Sequence, residues 1–135
     1  MPIPSEDPFI TIPMVTPFSA DDGVDHDAIA FNVERWLQTP LSGFIIGTAS
    51  GEEMFLSEKE KLDIARTVIG SLDGERFLVG GIDCPSPRET LRRAEAFADA
   101  GAEMVRLRLP RGEDAAEAYF AEVLPRCPVP ALLMH

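Results

Sequence analysis

Residues 77 to 109 read FLVGGIDCPSPRETLRRAEAFADAGAEMVRLRL, one complete strand–helix–strand unit. Phe77 to Val79 is short, apolar and closed by glycine, which predicts a strand. Ser86 with Glu89 three positions later forms a capping box at the start of a helix. Pro87 fills the first helical position, where its missing N–H costs nothing, and Gly101 supplies the stop. Met104 to Leu109 then returns to strand chemistry, with Arg106 and Arg108 alternating with Val105, Leu107 and Leu109.

The same unit repeats in both directions. Phe9 to Val15, Phe44 to Ile46 and Ala131 to Met134 are further short apolar runs bounded by Gly or Pro. Between the first two, Asp25 is placed to cap a helix that carries Ile29, Val33, Trp36 and Leu37 on one face and ends before Pro40. Ser57 and Glu60 form another capping box, followed by Leu62, Ala65, Val68 and Ile69 at helical spacing. An Ala-rich helix spans roughly 114 to 124, stopped by Pro125. Five strands alternating with four helices imply a parallel α/β sheet with right-handed crossovers.

Two architectures satisfy that order, a doubly wound open sheet and part of a (β/α)8 barrel. The apolar runs start at residues 9, 44, 77, 104 and 131. Eight repeats of that average spacing give about 245 residues, close to the usual barrel length. The sequence stops at His135, on or just past the fifth run, where an open sheet would normally add a covering helix. The expectation is a single domain over residues 1–135: strands 1 to 5 and four helices of a partial (β/α)8 TIM barrel, its N-terminal portion.

Composition narrows the partners. Twelve Lys and Arg stand against 23 Asp and Glu, a formal charge of −11. No basic stripe offsets it, which argues against nucleic acid, because phosphate backbones are held by clustered cations. No window approaches the ~20 apolar residues of a membrane span, and the start of the chain lacks a signal-peptide pattern. A cytoplasmic setting is expected. Cys84 and Cys127 have no metal-ligand spacing around them and read as small buried residues. His26 falls at a helix start and His135 at the end, so neither a metal nor a cofactor is expected.

Thr16-Pro17-Phe18, Asp22-Gly23-Val24-Asp25, Gly47-Thr48-Ala49-Ser50-Gly51-Glu52 and Leu56-Ser57 with Glu60 together resemble the dihydrodipicolinate synthase and N-acetylneuraminate lyase family. The later strand ends fit the same frame more loosely. The resemblance implies a (β/α)8 barrel and a class I aldolase, lyase or dehydratase. In such a site a lysine on the sixth strand forms a Schiff base with pyruvate or another 2-oxo acid. It also implies a homo-oligomer and covers only the first half of such a protein. The nucleophile therefore lies outside this chain, which alone would be inactive.

Barrel chemistry collects at the carboxyl ends of the strands, where every unusual segment of this sequence falls. Gly47 and Gly51 bracket small hydroxyl residues at a strand-to-helix turn, which can offer N–H groups and a hydroxyl to a carboxylate. The substrate-binding candidates are Thr48, Ala49, Ser50, Gly51 and Arg111. The family's neighbouring threonines fall on Ala49 and Ser50, so one side-chain donor is lost, with Thr48 as a possible substitute. The plainer reading is that Thr48 and Ser50 only cap the turn. The family's tyrosines after strand four and at the end of strand five would fall near Arg111 or Gly112 and on Met134. Tyr119 instead lies mid-helix, where packing is the expected role. Without that phenol relay, a divergent aldolase or dehydratase is expected.

The only lysines, Lys59 and Lys61, lie in the charged run SEKEK and read as a solvated helix face, unsuited to Schiff-base formation. Arg106 and Arg108, on a strand with apolar surroundings, require partners. Pairing with nearby acids is the expected role, and holding a substrate carboxylate or phosphate is the alternative. The competing reading of the whole chain is a small open-sheet α/β protein that binds a ligand or partner without catalysis. A half barrel that pairs with its own copy is a third.

Overall fold

The computed structural model describes residues 9–108 and 112–134. Five strands, β1 (Thr11–Pro13), β2 (Gly43–Ile46), β3 (Phe77–Ile82), β4 (Met104–Arg108) and β5 (Ala131–Met134), alternate with α1 (His26–Trp36), α2 (Glu58–Ser71), α3 (Pro87–Asp99) and α4 (Glu113–Val123). All four strand pairings are parallel and follow chain order, β1-β2-β3-β4-β5.

That order separates the two candidate architectures. Right-handed crossovers between strands laid down in one direction place every helix on the same face, whereas a doubly wound sheet reverses direction and covers both. Strand side chains alternate accordingly. Phe44, Ile46, Leu78, Ile82, Val105 and Leu107 point into the main core with Ile29 and Val33 of α1, Ala65 and Val68 of α2, and Leu91, Ala94 and Phe97 of α3. The opposite face holds a smaller cluster of Phe77, Val79 and Met104, flanked by Phe9, Ile45 and Leu132, with no helical residue among them. The chain is an arc of a (β/α)8 barrel, and this second cluster is its lumenal plug.

Helix starts follow their caps. Asp25 Oδ1 accepts from the Ala28 amide at 2.9 Å, and Ser57 with Glu60 completes the expected capping box. Ser86 accepts from the Glu89 amide, but the reciprocal half is absent because the Glu89 carboxylate turns to Arg92 and Arg93. The α-helical part of the fourth helix ends at Val123, one residue earlier than expected, and continues as a 3-10 turn over Leu124–Arg126 that accommodates Pro125.

Strand limits moved further. β1 is only three residues long, shorter than the expected run from Phe9 to Val15, because only Thr11, Ile12 and Pro13 find partners in β2. β3 runs three residues beyond Val79, through Gly80 and Gly81, which were read as its end. These glycines make room. A Cβ on Gly80 would lie 2.6 Å from the Phe97 ring, so α3 seats its aromatic directly on the strand.

The capping box on α2 carries a pH dependence. The Ser57 hydroxyl, and after it the Ser57 amide, hold the Glu60 carboxyl below its ordinary 4.5. A depressed folded value stabilises fully above the unfolded value and is lost as pH falls through the folded one. Ser57→Ala should therefore lower the urea midpoint most near neutrality. The deficit should shrink, without vanishing, as pH falls below about 4.5. A deficit independent of pH would contradict the coupling.

Candidate functional site

The carboxyl ends of β2, β3 and β4 converge on one turn. Gly47 ends β2 in the left-handed region at φ 68°, and a Cβ there would lie 2.6 Å from the Gly81 carbonyl oxygen. Conformation and space thus both demand glycine. Thr48 follows in extended backbone and leads into a 3-10 turn over Ala49–Gly51. Glu52, left-handed at φ 55°, links it to a second 3-10 turn over Glu53–Phe55 and then to the α2 cap. Thr16, from the segment after β1, pins the turn by donating its hydroxyl to the Gly51 carbonyl at 2.7 Å.

The turn's donors divide into two sets. The amides of Gly51 and Glu53 reach the Thr48 carbonyl, and that of Glu52 reaches Ala49, so these three are consumed internally. The Ala49 and Ser50 amides enter no hydrogen bond among the described residues, as at the first turn of any helix. The Thr48 hydroxyl caps nothing and is shut away from solvent with no partner among the described residues. Ala49 and Ser50 are exposed, and Gly51 is buried. Four of the five binding candidates therefore share one turn, and the fifth, Arg111, lies outside the described residues.

The two strand arginines part company. Arg108 pairs with Asp83 at 2.9 Å, as expected of a charge beside an acid. Arg106 has no carboxylate partner among the described residues. Only 3% exposed, it donates Nη2 to the Gly47 carbonyl at 2.7 Å. Its guanidinium lies over Gly81, where a Cβ would come within 2.7 Å of Nη2. Burial, and then the neighbouring Arg108, pull its pKa below the ordinary arginine value.

The lysines also differ from each other. Lys59 is the expected solvated residue, 85% exposed and paired with Asp63. Lys61 is not: its side chain is 17% exposed and faces Glu53 at 3.4 Å. The second 3-10 turn, invisible in the charge pattern, folds Glu53 over it. Tyr119 is buried, its hydroxyl 2.7 Å from Thr90 of α3 and its pKa raised by burial. It therefore joins α4 to α3. Cys84 and Cys127 are half-buried free thiols, and His26 Nδ1 meets Thr67 Oγ1 at 2.7 Å between α1 and α2. Among the described residues no group of three or more His, Cys, Asp or Glu is placed to hold a metal. Nor, among the described residues, is any helix long and apolar enough to cross a membrane.

Known proteins match this frame. The profile of the dihydrodipicolinate synthetase family covers residues 9–111. An uncharacterised DapA-like lyase of Halobacterium salinarum is 33% identical over 94 residues, spanning 69% of this chain and 31% of the relative. An N-acetylneuraminate lyase of Rhizobium meliloti is 30% identical over 88 residues, spanning 65% of this chain and 29% of its own. The chain thus spans about a third of the length of the curated relatives it matches. Among solved structures, a dihydrodipicolinate synthase family protein of Coccidioides immitis superposes with a TM-score of 0.87 at 22% identity, over 93% of this chain and 43% of that one.

The Gly47 position yields a direct test of the turn. Gly47→Ala imposes a left-handed backbone, roughly 1–2 kcal/mol, and a contact that forces β2 from β3, about 1–3 kcal/mol. Urea unfolding should show a loss near the sum of the two. A variant as stable as the parent would mean that the turn adopts another conformation.

Proposed function

Because the chain belongs to the dihydrodipicolinate synthetase family, we propose that it forms the first part of a lyase barrel acting on pyruvate or another 2-oxo acid. In this reading it supplies one wall of the carboxylate pocket. The observation that carries it is the turn after β2, with unengaged Ala49 and Ser50 amides beside a buried, unpartnered Thr48 hydroxyl. Two free N–H donors beside a hydroxyl suit an anion.

The amides of Ala49 and Ser50 receive the carboxylate of the 2-oxo acid and fix the direction of its keto carbon. A primary amine then attacks that carbon and water leaves, giving an imine that acts as an electron sink for bond cleavage. The amine does not come from this chain. The two lysines present both lie on α2 and both are engaged by acids, Lys59 by Asp63 and Lys61 by Glu53. The lysine belongs to a later strand end of the complete barrel. Tyr119 is committed to Thr90 between two helices, so proton transfer falls to other groups, and the reaction is that of a divergent aldolase or dehydratase. A cytoplasmic setting and a homo-oligomer complete the proposal.

Borohydride reduction in the presence of pyruvate, read by peptide mass spectrometry, tests the assignment of roles. The 135-residue chain should remain unlabelled. Covalent capture at Lys59 or Lys61 would place the nucleophile here and overturn the assignment.

A further inference from the structure

Arg106 is a buried cation whose hydrogen bonds are half made. Its Nη2 reaches the Gly47 carbonyl, while Nε and Nη1 are shielded from solvent and have no partner among the described residues. On the strand it is the next inward residue after Met104, in register with Gly81 of β3 and Leu132 of β5. Among the described residues the groups below it are apolar, Val79, Met104 and Ile45, with Leu132 alongside. Above it the acids are taken: Asp83 pairs with Arg108 and Glu53 with Lys61. Among the described residues Arg106 is thus a buried positive charge at the floor of the site with no carboxylate bonded to it, reached only by the longer-range fields of Asp83 and Glu53.

The surroundings show that this position is built. Gly81 clears the space the guanidinium fills, since a Cβ there would come within 2.7 Å of Arg106 Nη2, and Gly47 allows the close approach of the two backbones. The residue after the carbonyl that Arg106 grips is Thr48, whose hydroxyl is likewise buried and unpartnered. A buried guanidinium left with two empty donors is costly, and a carboxylate oxygen that accepts from one of them relieves part of that cost.

We infer that Arg106 is a ligand-binding residue whose open Nε–H takes a carboxylate oxygen of the substrate, with Thr48 Oγ1 as an accessory donor, at the deep end of the site. This rests on the 2-oxo acid reading and adds to it that substrate charge is met by an arginine on β4 as well as by the turn after β2. Arg106 also positions that turn through Gly47, so ligand and turn are coupled through one side chain.

Arginine side-chain NMR of the 135-residue chain, labelled with 15N at arginine, tests the assignment. The Arg106 Nε–H signal is identified by its loss in Arg106→Gln or, should that variant misfold, in Arg106→Lys. Titration with pyruvate should shift this signal saturably, leaving Arg126 unmoved, while methyl pyruvate, which keeps the keto group without the charge, should not. No saturable shift with pyruvate, acetate or phosphate would overturn the inference, as when a carboxylate of the protein occupies the Nε–H. An equal shift with methyl pyruvate would overturn it too. A shift with acetate or phosphate and none with pyruvate would uphold the anion site and remove the 2-oxo acid reading.

Discussion

Parallel strands laid down in unbroken chain order can carry their crossovers on one face only. That constraint decides the rest of this molecule. With α1 to α4 on one side, the main core forms between them and Phe44, Leu78, Val105 and Leu107. The other side of the same strands must find a different cover. It is lined by Phe77, Val79 and Met104, a plug that makes sense as a barrel interior rather than as the second layer of an open sheet. The strands' carboxyl ends then share one rim, and that rim is where the glycine-bearing turn and the strand arginines meet.

At that rim the packing is set by what is missing. Gly47 and Gly81 face each other closely enough that no side chain fits between them. The room left by the missing Gly81 side chain is taken by Arg106, reaching from the next strand. Its bond to the Gly47 carbonyl ties β4 to the turn after β2 across the intervening strand. Thr16 does the same from β1 through Gly51. The turn is therefore held from both sides by side chains while its leading amides stay unengaged, which is the division of labour that a binding loop on a rigid scaffold requires.

Much of this was legible in the sequence because it is local. Asp25, Ser57 and Ser86 cap the helices they were expected to cap, since a cap is decided within four residues. The chain order and length of the repeat pointed to the barrel. What failed was non-local. Gly80 and Gly81 looked like a strand end, yet they are strand interior whose missing side chains admit Phe97 and Arg106. Lys61 read as solvated because its neighbours are charged, and only the fold brings Glu53 over it. Arg106 and Arg108 are identical by pattern, but the second finds Asp83 at the rim and the first, two residues deeper, finds a backbone carbonyl. Composition cannot tell a paired charge from an unpaired one two positions away.

The most direct measurement of the strand order is the scalar coupling that passes through backbone hydrogen bonds, observable by NMR for a chain of this size. Couplings are expected from the Met14 amide to the Ile45 carbonyl, from Glu103 to Leu78 and from Val105 to Pro130, each joining consecutive strands. A coupling between β1 and either β3 or β4 would show a sheet that reverses direction, and the barrel arc with its charged floor would have to be abandoned.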